Sequence, residues 1–124
     1  MSRILIVDDS RTDSVKIGAV LTRYGHEVLA AESAEQGMKV ARESKPDLIL
    51  MDIVMPGLNG FQATRQLTRD PQTAAIPVIM LTAKCQEADR VWGERQGARG
   101  YLTKPVDDAL LMDTISQVLA EAGR

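Results

Sequence analysis

The sequence has little of what several functional classes require. Cys85 is its single cysteine and His26 its single histidine, so neither an intrachain disulfide nor a zinc site of the usual Cys/His type is available. Aromatic residues make up 3% of the chain, which argues against nucleic-acid binding by base stacking. A net charge of −2 gives no electrostatic drive toward nucleic acid or an anionic membrane. We therefore expect no nucleic-acid partner and no membrane partner.

Long hydrophobic runs are also missing. The apolar run 4–7 is cut by Asp8 and Asp9, too early for a signal peptide. No stretch approaches the roughly 18 apolar residues that a membrane-spanning helix needs. With a lone cysteine, this favours a reducing, cytoplasmic location. The length of 124 residues suits one domain and leaves little room for a second.

Short apolar runs alternate with longer amphipathic segments. Apolar runs without alternation are typical of parallel strands buried on both faces, and here they occupy 4–7, 28–30, 48–51, 78–81 and 101–102. Helical patterns fill the gaps, near 11–24, 33–44, 60–69 and 86–96 and after Asp107 or Asp108. Five strand–helix repeats predict an α/β fold: a flavodoxin-like (βα)5, doubly wound, five-stranded parallel sheet with strand order 2-1-3-4-5.

Local signals predict where some helices begin and end. Ser33 with Gln36 predicts a capping box at the start of the second helix. Gly25 and Gly97 stand where a helix C-terminus favours a left-handed residue.

Two single residues have both a structural and a functional interpretation. Trp92, in the fourth helix, is expected to be partly buried against the sheet or the next helix, and the alternative is an anchor for a partner protein. Cys85 is expected to be an incidental free thiol, with a redox role as the alternative.

The residues at the ends of the strands carry the functional signal. Asp8 and Asp9 follow the first run, Asp52 the third, Thr82 the fourth and Lys104 the fifth. In a parallel sheet these ends share one edge, where open α/β sheets bind ligands. Crowded carboxylates repel one another unless a cation lies among them, and Mg²⁺ takes oxygen ligands. A lysine and a hydroxyl beside the cation can hold phosphoryl oxygens, so the set predicts phosphoryl transfer with an aspartate as nucleophile.

A structural interpretation of the same residues has to be weighed. An acid after a strand is commonly a helix cap, so Asp8 and Asp9 could cap the first helix, and Lys104 could be a solvated surface lysine. The recurrence of such groups at four of the five strand ends favours a site.

Four segments together resemble the receiver domains of two-component response regulators, the CheY-like family, over essentially the whole chain. They are ILIVDDS, LILMDIVMPGLNG, VIMLTAK and GYLTKP. The resemblance implies that Asp52 is the phosphoacceptor and that Mg²⁺ is the cofactor. Asp9 would bind the ion directly, Asp8 mainly through water, and Asp52 and the backbone carbonyl of Val54 would complete the protein ligands.

The same resemblance extends to the switch. Thr82 and Lys104 would contact the phosphoryl oxygens, and Tyr101 matches the aromatic switch residue. The Lys104–Pro105 bond matches a peptide that is cis in the family.

The resemblance also implies how the protein signals. It implies a single receiver domain over residues 1–124 with no output domain, a phosphoacceptor switch that promotes only its own phosphorylation and dephosphorylation. The phosphodonor would be a histidine kinase, and a downstream protein would bind the face formed by the fourth helix, fifth strand and fifth helix. The segments MDIVMPGLNGFQATRQLTRD and VWGERQGARGYLTKPVD are similar to the PilH-type regulators of type IV pilus twitching motility. Control of pili, or chemotaxis-like control, follows from that similarity.

Three alternatives remain open. One is a receiver that acts as a phosphate sink for a sibling regulator. Another is a small aspartate-nucleophile phosphatase, which would need its two acids two residues apart after the first strand, whereas Asp8 and Asp9 are adjacent. The last is a flavin-binding module, but the loop DDSRTDS is acidic and repels phosphate unless a cation intervenes.

Overall fold

The structure, a computed structural model, describes residues 2–83 and 86–122. Within these residues strands and helices alternate along the chain. They are β1 (Arg3–Val7), α1 (Arg11–Arg23), β2 (Glu27–Ala31), α2 (Ala34–Ser44), β3 (Leu48–Met51), α3 (Gly60–Arg69), β4 (Val78–Thr82), α4 (Glu87–Arg95), β5 (Gly100–Thr103) and α5 (Asp108–Ala122). None of the helices in the described part of the chain is long and apolar enough to cross a membrane.

The strands form one sheet in the order β2-β1-β3-β4-β5, and every neighbouring pair is parallel. The predicted strand order is confirmed. In register, Val7 lies opposite Met51 and Thr82 opposite Thr103. The residues that follow β1, β3, β4 and β5 therefore leave the sheet at the same edge.

Each face of the sheet carries its own hydrophobic core. Along β1, Leu5 and Val7 belong to the core on the α2 and α3 side, whereas Ile4 and Ile6 belong to the core on the α1 and α5 side. This explains why the strand runs show no polar alternation: helices cover both faces, so both sets of side chains are buried.

The helix ends follow the predicted signals with one exception. Gly25 and Gly97 have φ of 87° and 106°, so both adopt the expected left-handed conformation. At α2, Ser33 Oγ accepts a hydrogen bond from the Gln36 backbone at 3.1 Å, as predicted. The reciprocal half of the capping box is wrong, because Gln36 Oε1 accepts from the backbone of Glu32 at 2.8 Å, one residue before the cap.

Trp92 is only partly covered in the structure. The residue is 48% exposed, which agrees with partial burial and leaves about half of it open to solvent. The buried residue of α4 is Gly93, which lies against Met80 and Phe61. Because successive residues are about 100° apart around a helix, Trp92 is turned away from that contact. The expectation for Cys85 concerns a residue outside the described part of the chain.

Candidate functional site

Three carboxylates meet at the edge of the sheet where β1 and β3 end. Asp8 and Asp9 follow β1, Asp52 follows β3, and one oxygen from each lies within 4.8 Å of the others. Asp8 and Asp52 are 4% and 8% exposed, whereas Asp9 is exposed. The structure thus brings the three predicted acids together, with two buried and one facing solvent.

Lys104 enters the same cluster from the end of β5. Its Nζ donates to Asp8 Oδ2 at 2.5 Å and to Asp13 Oδ2 at 3.0 Å, and it lies 3.9 Å from Asp52 Oδ2. The side chain is only 14% exposed, which excludes the interpretation of Lys104 as a solvated surface lysine. These contacts raise the pKa of Lys104 even though burial alone would lower it.

Asp13 is a residue that the sequence patterns do not single out. It lies in the first turn of α1, and 91 residues separate it from Lys104. No spacing rule pairs residues so far apart. The one available signal is the third acid in the segment DDSRTDS.

The start of α1 tests the helix-cap interpretation of the acid pair. The N-cap is Ser10, whose Oγ accepts from the Asp13 backbone at 3.3 Å. Asp8 Oδ1 instead accepts from the Ser10 backbone at 2.8 Å, outside the helix. The interpretation of Asp8 and Asp9 as helix caps is therefore wrong. Both oxygens of Asp8 have protein partners, whereas Asp9 faces solvent.

Asp52 is anchored through its own backbone. Its N–H donates to Val7 O at 2.9 Å, and its Oδ1 accepts from the Ile53 backbone at 2.9 Å. Burial raises the pKa of Asp52 to about 6, and the negative charge of Asp8 adds to the rise. The charge of Lys104 and a hydrogen bond with Thr82 oppose it. At neutral pH the Asp52 carboxylate is therefore mostly ionised, although its surroundings stabilise the ionised form less well than water does.

Gly60, the first residue of α3, is the second residue that the sequence patterns do not single out. Its N–H donates to Ile53 O at 3.0 Å. A Cβ at this position would lie 2.1 Å from the backbone oxygen of Asp52, closer than any side-chain carbon can approach. Only glycine lets α3 lie directly against the backbone of Asp52, and this contact sets the position of the loop 52–59.

The remaining predicted residues lie around this cluster. Thr82 is fully buried at the end of β4. Tyr101 is partly buried, packs against the core on the α2 and α3 side, and pairs in register with Met80, two residues before Thr82. The Val54 side chain is 62% exposed in the loop after Asp52. The Lys104–Pro105 bond is cis, as predicted.

Sequence comparison supplies the family. The profile of the response regulator receiver domain matches residues 4–116. The chain belongs to that family. Among curated receiver proteins, PilH of Pseudomonas aeruginosa is 64% identical over 120 residues, which cover 97% of this chain and 99% of PilH. PhoB of the same species is 42% identical over 120 residues, but the match covers only 52% of that longer receiver protein.

Solved structures give the same fold. The chemotaxis protein CheY4 of Vibrio cholerae superimposes with a TM-score of 0.89 at 29% identity, covering 95% of this chain and 98% of CheY4. A response regulator from Chloroflexus aurantiacus gives 0.92 at 31% identity, over 96% of this chain and 98% of its own. The predicted receiver family, its PilH-type similarity and the flavodoxin-like fold are confirmed.

Proposed function

We propose that this receiver domain is a phosphorylation switch in which Asp52 accepts a phosphoryl group from a histidine kinase. The observation that carries the proposal is the convergence of Asp8, Asp9 and Lys104 on Asp52 at one edge of the sheet. A nucleophile, a set of hard oxygen ligands and a cation are the groups that phosphoryl transfer requires.

The chemistry at Asp52 follows from its surroundings. Oδ1 is engaged by the Ile53 backbone, so Oδ2, which faces Lys104, is the oxygen we assign as nucleophile. It attacks the phosphorus of a phosphohistidine, an O–P bond forms and the N–P bond breaks. The departing imidazole nitrogen keeps the electron pair and takes up a proton. Asp52 is suited to this role because a pKa of about 6 leaves it mostly ionised at neutral pH.

The donor set fits a magnesium ion. Asp9 is exposed and close to Asp52, so these two carboxylates would bind the ion directly, with the backbone carbonyl of Val54. Both oxygens of Asp8 already accept protein hydrogen bonds, which supports a role for Asp8 through water. Bound Mg²⁺ supplies positive charge that offsets the crowded acids and the transferring group.

The response is proposed to run through Thr82 and Tyr101. The Thr82 hydroxyl already interacts with the carboxylate of Asp52 and would turn to the phosphoryl oxygens. Thr82 and Tyr101 project from the same face of neighbouring strands, so movement of the first alters the space open to the ring. Shifts of this kind are typically worth about 1–3 kcal/mol, or roughly 5–150-fold in partner affinity.

The partner surface is proposed to be the face of α4, β5 and α5. Exposed apolar residues on α4 and α5 support this: Val91 and Trp92 on α4 and Leu110 on α5. The 99% coverage of PilH supports a receiver that acts without an output domain, through protein contact. The similarity to PilH also supports a role in the control of type IV pili and twitching motility. We propose that the protein acts in the cytoplasm.

Intact-mass measurement tests the phosphoacceptor. Wild type incubated with acetyl phosphate and Mg²⁺ is expected to gain one phosphoryl group, and Asp52→Asn none. Asp113→Asn, an exposed acid on α5, serves as the matched control and should behave as wild type. Equal labelling of Asp52→Asn and wild type would refute the assignment.

The single tryptophan tests the switch. Trp92 lies on α4, so its fluorescence should change when Asp52 is phosphorylated. Thr82→Ala is expected to accept phosphate, more slowly, while losing most of that change. If Thr82→Ala and Tyr101→Ala both keep the full change, the response runs through other residues.

A further inference from the structure

Lys104 is held by two carboxylates, and one of them lies outside the predicted site. Nζ lies 2.5 Å from Asp8 and 3.0 Å from Asp13, but 3.9 Å from Asp52 Oδ2. Charge-assisted N–H···O bonds are about 2.7–2.9 Å long, so the ammonium is bonded to the first two acids and stands off from Asp52. We propose that Asp13 is a positioning residue that restrains Lys104 in the unphosphorylated protein and thereby limits the rate at which Asp52 is phosphorylated.

The two ion pairs that hold Lys104, with Asp8 and with Asp13, differ in strength. The Asp8 side chain is 5% exposed, and its other oxygen accepts a hydrogen bond from the Ser10 backbone. The ion pair between Lys104 and Asp8 is therefore hard to break. The Asp13 side chain is 40% exposed, and solvent-exposed ion pairs are worth little. When the ammonium moves toward a phosphoryl group on Asp52, the bond to Asp13 is the one that breaks.

The fold keeps Asp13 in place for this contact. Its backbone N–H is bonded to Ser10 Oγ, which sets where the side chain leaves the first turn of α1. The hydrogen bond from Lys104 lowers the pKa of Asp13, and the positive end of the helix dipole favours an anion at this position. Asp13 is therefore a fixed negative charge that competes with Asp52 for the same ammonium.

The inference rests on the proposed function, since it concerns how fast Asp52 takes a phosphoryl group. Removing the charge of Asp13 would leave the charge-assisted bond to Asp8 and only a weaker, neutral hydrogen bond at position 13, so an N–H of Lys104 could turn toward Asp52 more easily. The lysine would then have only that weaker bond to break before it meets the transferring group.

The test is the kinetics of phosphorylation by acetyl phosphate with saturating Mg²⁺, followed by intact mass. For Asp13→Asn we expect the maximal rate to rise about two- to fivefold, the range set by the worth of an exposed ion pair. The acetyl phosphate concentration that gives half-maximal rate should change only as much as loss of any negative charge in this cleft changes it, because the donor does not touch Asp13. Asp13→Glu, which keeps a carboxylate, should return the rate toward wild type.

Asp108→Asn is the matched control. Asp108 lines the same cleft as Asp13 and Lys104, but its carboxylate pairs with Arg23 at 2.9 Å. Loss of this negative charge also increases the general attraction for an anionic donor, but it does not free Lys104. Its maximal rate should therefore stay at the wild-type value.

Each other result overturns the proposal. An Asp13→Asn maximal rate at or below wild type removes the restraining role while leaving the proposed function intact. An equal increase in Asp108→Asn would show a general charge effect instead. Wild type that takes no phosphoryl group on Asp52 overturns both the proposed function and the role of Asp13.

Discussion

α3 follows β3 and Asp52, and α4 follows β4, which ends at Thr82, yet the two helices are attached to the sheet very differently. α3 begins with a reciprocal capping box between Asn59 and Gln62 and buries Gly60, Ala63, Thr64 and Leu67. α4 has Gln86 at its N-cap, where the side chain makes no cap hydrogen bond, and it buries Gly93. A helix with few buried contacts opens locally at a lower free energy. The side that holds Asp52, the proposed phosphoacceptor, is therefore firmly packed, and the side proposed to respond is loosely packed.

The start of α4 is stabilised by charge where α3 uses hydrogen bonds. Glu87 and Asp89 lie in the first turn of α4, next to the positive end of its dipole. Such charges are worth a few tenths of a kcal/mol to about 1 kcal/mol and weaken in salt. α4 should consequently loosen as ionic strength rises, whereas the start of α3 should not.

The largest effect is expected where α3 meets the backbone of Asp52. Gly60→Ala places a Cβ 2.1 Å from the Asp52 oxygen, so the backbone must shift. We expect a loss of about 3 kcal/mol in unfolding free energy, the upper end of the usual cost of overpacking, measured by urea denaturation, with slow phosphorylation. Gly18→Ala in α1 is the control, since its Cβ would lie 3.6 Å from Val28. Wild-type stability of Gly60→Ala would contradict the close approach.

The charge of Asp52 lowers the unfolding free energy by an amount that depends on pH. The folded-state pKa of Asp52, about 6, lies above its ordinary 3.8, so ionised Asp52 destabilises the fold above pH 6. Without Mg²⁺, Asp52→Asn should raise the unfolding free energy at pH 7.5 by no more than about 3 kcal/mol.

The pH profile provides the check. The advantage of Asp52→Asn should shrink as pH falls through the window from 6 to 3.8 and vanish below it, because the wild-type side chain is then neutral in both states. Denaturation in EDTA at several pH values measures this. A constant difference across the window would mean that burial and Asp8 do not act on Asp52 as described.

Changing the N-cap residues should reduce the difference in stability between α3 and α4. Asn59→Ala should cost about 1 kcal/mol, because it removes the Asn59 side chain as acceptor for the Gln62 backbone. Gln86→Asn should instead add a cap to α4 and stabilise it by a similar amount or less. Hydrogen exchange of each helix reports the effect locally. Equal protection of α3 and α4 in wild type would contradict the comparison.

The smallest effect is expected inside α4. A Cβ at Gly93 would lie 3.5 Å from Met80 and 3.6 Å from Phe61, which is ordinary contact. Gly93→Ala should therefore stabilise the protein by about 0.5–1 kcal/mol, since alanine favours a helix. Slower hydrogen exchange in α4 is the measurement. A loss of stability would show that α4 has no room against the sheet.

The strand order and the acid cluster could be predicted because they depend on patterns that the chain displays locally. Unbroken apolar runs indicate strands covered on both faces, and the residues after them must share an edge. The contact of Asp13 with Lys104 could not be predicted this way. It joins positions 91 residues apart and depends on where α1 lies over the sheet.

The role of Gly60 and the orientation of α4 could not be predicted either, because both depend on contacts that form only in the folded protein. Gly60 shows no signal in the sequence because a glycine at a helix start looks like any loop residue, and its close approach to Asp52 exists only in three dimensions. For Trp92, the contact residue of α4 is its neighbour Gly93, which has no hydrophobic side chain to reveal the inward face. A short helix with few apolar residues leaves its orientation undetermined in the sequence.

The loop after Asp52 has consequences for protein engineering. Its positions differ sharply in how much variation they tolerate: the side chains of Val54 and Pro56 are exposed, while Gly57 has φ of 77° and Gly60 has no room for a Cβ. A combinatorial library built here should randomise 54 and 56 freely and hold both glycines constant. Selection for new phosphodonors could then explore the rim of the site without spending most of its clones on misfolded protein.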